Sequence, residues 1–386
     1  MGRLSSLAGV LVPFTMSASS AFSVSFFVGQ LSSLLNVPPY AVLLTFPVDF
    51  IGGAIGGLAL GYAADRIGRR PALLVSGLIF SLSVALASAT SSLWQLYVAW
   101  FFVGFGVNAQ NGVAYPVVVE LIPRFQGSVG GLMQGLYFIG YMLDSLLYYE
   151  FPWWREYFLV VGAAGAVLSV TALLVPETAP SPGGPRLGLR DLDRGLALMT
   201  VGLSAVVVGA FMFSVPLLAD VPSFITSMGL SEGWLAALSA LGFAGFTAAG
   251  VASDLAGRPK TAAAFSLAGL ASSLALLSLP RGYPALAALS VSFFSSGYFS
   301  FTGIWASETY PPELRATGTN LVFLVGRLVG GFSPALAASL YPGSLRVGTA
   351  LTCLMANVLA LGGLPVYFLG LRLRGASGSQ APGGLA

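Results

Sequence analysis

The stretch Gly61–Pro71 reads GYAADRIGRRP and ends a long apolar run with a cluster of charged residues. Its pattern, G-x-x-x-D-x-x-G-R, recurs 189 residues later as GVASDLAGR at Gly250–Arg258. A second motif, E-x-x-P, occurs at Glu120–Pro123 and again 188 residues later at Glu308–Pro311. Two unrelated motifs that repeat at nearly one spacing, about half the chain length, indicate an internal duplication.

The composition predicts a membrane protein. Hydrophobic residues make up 56% of the 386 residues and charged residues only 8%, compared with roughly 25% charged residues in soluble domains. A soluble protein of this length could not bury so much apolar surface, so most of it must face lipid or other helices. The net charge of +3 comes from arginines spread between apolar runs, which is not the pattern of a nucleic-acid-binding protein.

The residues needed for most enzymatic sites are missing. The sequence has no histidine, and its one cysteine, Cys353, lies in the last apolar run. The usual metal ligand, the usual proton carrier at neutral pH and a disulfide framework are therefore absent from the sequence. We expect no metal, no cofactor and no enzymatic activity, because neither a nucleophile–base pair nor a metal cluster is visible. The first apolar run is long enough to span a membrane, so a cleavable signal peptide is not expected.

Twelve apolar runs of about 20 residues are each long enough to cross a ~30 Å hydrocarbon core. Their length predicts helices, since barrel strands would be short and alternating. The predicted fold class is an all-α membrane protein with twelve transmembrane helices in two pseudo-symmetric six-helix bundles. The predicted spans, numbered 1 to 12, are approximately 7–30, 40–63, 71–90, 93–118, 127–149, 156–175, 195–218, 232–252, 261–280, 284–306, 316–338 and 347–370.

The predicted bundles are residues 1–176 and 195–374, joined by a Pro- and Gly-rich linker at 177–194. The tail at 375–386 is small and polar, and we expect it to be disordered. Of the 17 Lys and Arg residues, 13 lie in the loops and ends on the side of the chain termini. Because positive loops stay in the cytoplasm, we expect both termini there, in a multi-pass protein of the cell membrane. We also expect a monomer.

The duplicated loops resemble the hallmark of the major facilitator superfamily, a glycine-flanked Asp and Arg loop after helix 2 that is echoed after helix 8. The resemblance implies the predicted twelve-helix fold and transport of a small molecule by alternating access, with spans 1, 4, 7 and 10 lining a central cavity. It also implies that Asp65 contacts the start of span 11 and closes the cytoplasmic side. Since Pro259 replaces Arg70 in the second copy, a weaker second gate is expected. The gating residues implied by the loops are Asp65, Arg69, Asp254 and Arg258.

Two further stretches refine the resemblance. ETYPPELRATG, which begins at Glu308, is similar to a signature of sugar and organic-acid porters. NLVFLVGRLVGGFSP, around Arg327, resembles organic-acid:proton symporters of the sialate, lactate and aromatic-acid groups, in which an arginine of helix 11 follows a glycine. The resemblance implies proton-coupled uptake of a small organic anion. It adds Glu120, Glu308 and Arg315 to the gating residues, although Glu120 lacks an arginine at the matching distance.

Two charged residues fall near the middle of predicted spans. Arg327 lies about 17 Å into span 11 at 1.5 Å per residue. A charge at that depth is costly and marks a functional candidate, and guanidinium binds carboxylate in a bidentate fashion. A permanent structural ion pair is the alternative. Asp49 in span 2 shares one face with Gly52, Gly53 and Gly56, so it is expected to face another helix rather than lipid.

If transport is proton-driven, a carboxylate must carry the proton, because histidine is absent. Asp49 is the first candidate and Asp144 the second. Asp144 is predicted to lie near the surface opposite the termini, where solvation is easier, which favours a structural role. The depths of Asp49 and Arg327 agree at ~13 Å below that surface, and we expect the two to pair in the empty transporter. A substrate carboxylate would then displace Asp49 from Arg327 and favour proton binding.

Polar residues of spans 4, 5 and 10 are further candidates for substrate contact or for helix-to-helix hydrogen bonds. A neutral-sugar:proton symporter is the main alternative function, although a sugar needs no fixed cation, and a multidrug exporter follows it. An enzyme would need the missing site residues, and a channel fits the duplicated gating loops less well than alternating access does. These further candidates are Asn108, Asn111, Tyr115, Gln134 and Tyr298.

Overall fold

The computed structural model describes residues 3–121, 125–176, 193–310 and 315–376. All regular elements within these ranges are helical, and they contain no strand. Ten helical stretches of the described chain are long and apolar enough to cross a membrane. The other two predicted spans correspond to helices of 29 and 25 residues. The predicted all-α fold of twelve spans is thus confirmed.

The first half contains spans 1 to 6. Spans 1, 2 and 6 each consist of more than one helical segment, and spans 3, 4 and 5 are single helices. The segments are Arg3–Phe22, the 3-10 turn Ser23–Phe27 and Val28–Leu35 in span 1; Pro39–Leu43 and Thr45–Ile67 in span 2; Arg69–Ala87 in span 3; Leu93–Leu121 in span 4; Gln126–Glu150 in span 5; and Trp154–Ser169 with the 3-10 turn Val170–Leu174 in span 6.

The second half contains spans 7 to 12. Spans 10 and 11 are segmented, and two short helices follow span 7. The segments are Arg194–Ala219 in span 7, with Val221–Phe224 and the 3-10 turn Thr226–Met228 after it; Trp234–Ala256 in span 8; Arg258–Ser278 in span 9; Tyr283–Ser295, the 3-10 turn Ser296–Phe301 and Thr302–Thr309 in span 10; Arg315–Gly330 and Ser333–Leu340 in span 11; and Leu345–Ala376 in span 12.

The duplicated loops have the same backbone conformation in the two halves. Gly68 has φ 99° and ψ 159°, and Gly257 has φ 90° and ψ 149°. Residues with a side chain rarely adopt such positive φ values, which explains a glycine at both positions. Each glycine is the single residue between the end of one span and the start of the next.

Both ends of the described chain lie on one face of the molecule. The start of span 1 packs on the end of span 6, where a Cβ at Gly9 would lie 2.7 Å from the Thr171 carbonyl oxygen. Arg374, near the end of span 12, forms an ion pair of 3.2 Å with Asp193. Asp193 also caps span 7 by accepting a hydrogen bond of 2.7 Å from the Leu196 amide. We call this the terminal face and the opposite one the distal face.

Glycines bring backbones together both within and between the halves. A Cβ at Gly52 would collide with the Phe101 carbonyl, so the small-residue face of span 2 packs on span 4, as its spacing predicts. Between the halves, a Cβ at Gly131 of span 5 would lie 2.9 Å from the Gly250 Cα of span 8. Spans 5 and 8 therefore form a close interface that joins the two bundles.

Candidate functional site

A cavity of ≈ 640 Å³ lies between the two halves, within the size range of small-molecule sites. Spans 1, 2, 4 and 5 contribute its wall in the first half, and spans 7, 8, 10 and 11 in the second. It extends from Leu218, at the distal end of span 7, to Gln126 and Thr319, at the starts of spans 5 and 11. The cavity therefore runs from the distal third of the molecule towards the terminal face.

The two charges predicted to share a depth both line this cavity. Asp49 is 3% exposed, and its Oδ1 is buried without a hydrogen-bond partner in the described part of the chain. The Arg327 guanidinium is close enough to act electrostatically on the Asp49 carboxylate. It also lies 5.7 Å from the centroid of the Phe323 ring, a distance at which a cation is attracted to the ring face. A direct ion pair between Asp49 and Arg327 stays a prediction.

Aromatic rings surround these charges. Phe211 occupies the centre of a cluster in which its ring centroid lies 5.4 Å from that of Phe50 and 4.8 Å from that of Phe299. Such a wall suits a flat apolar ligand body, because ring edges and faces pack favourably against one another. No local signal in the sequence marks this wall, because its rings come from seven different spans. The rings that line the cavity are Phe22, Phe46, Phe50, Phe138, Phe211, Phe246, Phe299, Phe323 and Tyr137.

Three of the predicted amide side chains, Asn108, Asn111 and Gln134, line the same cavity. Asn111 donates a hydrogen bond of 2.6 Å to the Tyr137 hydroxyl, and Asn108 donates one of 3.2 Å to the carbonyl of Gly104. The structure thus brings these amides and both charges together. The side chain of Tyr115 lies outside the described residues, so its contact with substrate stays a prediction.

Tyr298 is placed away from the cavity in this conformation, contrary to its predicted contact with substrate. It is fully buried, and its ring stacks on Phe213 with the centroids 6.2 Å apart. The neighbouring Phe299 faces the cavity instead. The cause is the 3-10 turn Ser296–Phe301, which changes the helical period locally and turns a different residue inwards. Sequence spacing based on a regular helix does not show this change.

The second duplicated loop connects the two halves at the terminal face. Asp254 of span 8 accepts hydrogen bonds from the backbone amides of Gly127 at 3.0 Å and Ser128 at 2.7 Å. These amides start span 5, where the positive end of the helix favours a carboxylate. Arg258 binds Asp254 at 2.7 Å and Glu308 at 2.8 Å. These contacts tie span 8 to span 5 and to the end of span 10.

A weaker second gate was expected because Pro259 replaces Arg70, but Pro259 does not disturb these contacts. It occupies the first turn of span 9, where a backbone N–H has no helical partner. Arg69 begins span 3 and is half-buried. The first copy of the gate stays a prediction, because the side chains of Asp65, Glu120 and Arg315 lie outside the described residues.

Asp144 is not near solvent, so this part of the sequence prediction is wrong. Its side chain is fully buried. It accepts hydrogen bonds from the Ser19 hydroxyl of span 1 and, at 2.7 Å, from the Tyr157 hydroxyl of span 6. Its depth along span 5 was estimated without spans 1 and 6, which cover it and exclude water.

Two duplicated helical bundles that enclose one cavity with buried charges define a transporter of small molecules across a membrane. Residues 6–334 match the Major Facilitator Superfamily, and the chain belongs to this family. The resemblance inferred from the duplicated loops is confirmed. The relatives of the chain are transporters and not enzymes.

The chain is 25% identical over 345 residues to the putative niacin/nicotinamide transporter NiaP of Bacillus subtilis (strain 168), covering 82% of this chain and 83% of that protein. It is 26% identical over 341 residues to a probable 4-methylmuconolactone transporter of Cupriavidus pinatubonensis (strain JMP 134 / LMG 1197), covering 82% and 79%. Its fold is similar to that of a bacterial homolog to the human lysosomal transporter Spinster, with a TM-score of 0.71 and 15% identity over 96% of this chain and 97% of that chain.

Proposed function

We propose that this protein takes up a small carboxylate together with a proton across the cell membrane. The observation that carries the proposal is the position of Arg327 beside Asp49 in the central cavity. A guanidinium remains charged at any working pH and offers a carboxylate two parallel N–H donors. A neutral substrate would not require a cation at that depth, where an uncompensated charge is costly.

The aromatic wall supports a carboxylate that carries a flat ring or another compact apolar body. The relatives are named for niacin or nicotinamide and for 4-methylmuconolactone, which are ring compounds. Phe50, Phe211 and Phe323 enclose the side of the cavity where Arg327 lies. The amide of Asn111 adds a hydrogen-bonding group to the lining of the cavity.

Proton coupling follows from the competition of two carboxylates for one cation. In the empty state Arg327 stabilises the charged form of Asp49. A bound substrate carboxylate neutralises Arg327, and the buried Asp49 then binds a proton more readily, because burial disfavours its charge. The loaded cavity is neutral and can change access. Asp144 is the alternative proton carrier.

The gates and the orientation complete the proposal. The terminal face is cytoplasmic, because 13 of the 17 Lys and Arg residues lie in loops and ends on this side, in agreement with the positive-inside rule. Asp254, Arg258 and Glu308 form one cytoplasmic gate, and the first duplicated loop with Asp65 and Arg69 forms the other. The protein acts as a monomer, since a single chain supplies the lining of the central cavity.

Neutral-sugar:proton symport is the second candidate. The side-chain amides of Asn108, Asn111 and Gln134 are suitable partners for sugar hydroxyls. The aromatic wall and the buried arginine favour the carboxylate.

A thermal-shift comparison of ligands tests the proposal, because a bound ligand raises the unfolding temperature. Nicotinate and nicotinamide form a matched pair with nearly the same shape, of which only nicotinate is an anion. We expect nicotinate and benzoate to stabilise the purified protein more than nicotinamide or a sugar does. Arg327→Lys weakens this stabilisation because the bidentate geometry is lost, and Arg327→Gln abolishes it. Full stabilisation of Arg327→Gln by nicotinate would contradict the proposed site.

A further inference from the structure

The two halves also meet near the distal face. The 3-10 turn Ser23–Phe27 of span 1 contacts the short helix Val221–Phe224 that follows span 7. All five residues of the turn are buried, and both Val221 and Phe224 are buried against it. Packing of this kind excludes water from the distal end of the interface. In this conformation the interface between the halves is therefore closed at its distal end.

Two acidic residues lie buried near this closure, one from each half. Asp144 of span 5 and Asp220 at the end of span 7 are both 0% exposed. Thr349 donates a hydrogen bond of 2.9 Å to Oδ2 of Asp220, as Ser19 and Tyr157 do to Oδ1 of Asp144. The second oxygen of each carboxylate, Oδ2 of Asp144 and Oδ1 of Asp220, is buried with no hydrogen-bond partner in the described ranges.

The hydroxyl of Tyr141 is within electrostatic range of both acids. Tyr141 lies one helical turn before Asp144 on the same face of span 5, and its side chain is 0% exposed. Its hydroxyl is also buried without a hydrogen-bond partner among the described residues. Both Asp144 and Asp220 are close enough to act electrostatically on this hydroxyl. A buried hydroxyl without a partner among the described residues is therefore within electrostatic range of two carboxylates that each have such an oxygen.

The surroundings of the two acids supply no positive charge. The titratable groups of packed elements on which the two acids act are Tyr141 of span 5, Tyr157 of span 6 and Cys353 of span 12. None of these is a cation, and no Lys or Arg occurs among the described groups that interact with the pair. A buried carboxylate without a cation takes up a proton rather than keep its charge.

We propose that Asp144, Tyr141 and Asp220 form a second proton-binding site, which must be protonated for the distal side to close. Protons enter from the distal solvent while that side is open, and one is bound by each carboxylate. Each protonated carboxyl then has an O–H group that can donate a hydrogen bond to the Tyr141 oxygen. When the distal side opens, water reaches the acids and the protons leave. Lower pH therefore favours distal closure, since the closed form binds more protons.

This site is independent of substrate and goes beyond the coupling proposed for Asp49. Its test uses the full-length protein in lipid nanodiscs without substrate, so failure of the proposed carboxylate transport would not affect it. Spin labels are placed at Tyr40→Cys and Tyr341→Cys, at the distal ends of spans 2 and 11, where both positions are about half exposed. The native Cys353 is 1% exposed and is left unlabelled.

We expect the distribution of distances between the labels to move to the short, closed population as the pH is lowered. In the double variant Asp144→Asn/Asp220→Asn, which imitates the protonated pair, the closed population dominates even at alkaline pH. The control Glu156→Gln, at an exposed carboxylate in the first turn of span 6, retains the pH response. A distribution that does not change with pH in the labelled protein, or a full pH response in the double variant, would overturn the proposal.

Infrared spectroscopy measures the bound protons directly and does not depend on the double variant folding. In an Asp49→Asn background, the distal-closed protein should show the carbonyl band of protonated carboxylic acids at neutral pH. Asp144→Asn and Asp220→Asn should each remove part of this band. Absence of the band in the Asp49→Asn protein would show that the pair is ionised and would overturn the proposal.

Discussion

The two ends of the interface between the halves stabilise carboxylates in opposite ways. At the terminal face, Asp254 accepts hydrogen bonds from two backbone amides and binds Arg258. Near the distal face, Asp144 and Asp220 accept hydrogen bonds from hydroxyl groups only. Amides at a helix start and a guanidinium stabilise a charge, whereas burial among hydroxyls favours the neutral acid. We therefore propose that closure of the terminal face depends on charged contacts and closure of the distal face on bound protons.

Loss of the Asp254 carboxylate should have the largest effect on closure of the terminal face. Asp254→Ala leaves the amides of Gly127 and Ser128 without an acceptor and Arg258 with one carboxylate in place of two. Removing one member of such a partly buried charged contact costs about 2 kcal/mol, or roughly thirtyfold in the ratio of closed to open molecules. Spin labels at the exposed Phe125 and Leu255 measure the opening.

The matched control for this substitution is Asp254→Asn. Its single side-chain oxygen still accepts a hydrogen bond from one of the two amides at the start of span 5, but the other amide loses its acceptor and the charge that binds Arg258 is lost. We expect it to open the terminal side less than Asp254→Ala does. Equal closure of the wild type and both variants would show that Asp254 does not hold this gate.

At the distal end, removal of one hydrogen bond to Asp220 should shift the pH at which the distal side closes without abolishing the pH response. Thr349→Val removes the hydroxyl that holds Oδ2 of Asp220, which leaves the charged carboxylate less stable. A hydrogen bond contributes about 1 kcal/mol, so the midpoint of distal closure should rise by somewhat less than one pH unit. A titration with labels at Tyr40 and Tyr341 measures the midpoint. A fall in the midpoint would contradict the assignment of Asp220.

Glu308→Gln should have the smallest effect on closure of the terminal face. The Glu308 side chain is 29% exposed, and Arg258 retains its contact with Asp254 after the substitution. Partly exposed ion pairs contribute roughly 1 kcal/mol or less. The population of the terminal-open state should therefore rise only a few-fold, measured with the labels at Phe125 and Leu255. An effect as large as that of Asp254→Ala would place the main latch at Glu308 instead.

The sequence predicts the architecture well, because each of its signals is local. Apolar runs mark the spans, and the repeated loops at Gly61 and Gly250 mark the duplication. It also identifies Arg327 and Asp49, since a charge within an apolar run is conspicuous by itself.

Other features depend on contacts between distant spans. The sequence gives the depth of Asp144 along its own helix but not its burial by spans 1 and 6. Asp220 resembles an ordinary residue at the end of a span until Thr349 and Tyr141 are placed beside it. The 3-10 turn at Ser296–Phe301 contains no proline and only one glycine, so nothing local predicts that Phe299 rather than Tyr298 faces the cavity.

The central claim is that the substrate carboxylate and Asp49 compete for Arg327. The most direct test adds a carboxylate that binds, such as nicotinate, to purified protein in weak buffer and measures proton uptake from the solution. We expect binding to draw protons from the solution in the wild type, and Asp49→Asn to bind the same carboxylate with little or no proton uptake. Binding without proton uptake in the wild type, or unchanged uptake in Asp49→Asn, would contradict it.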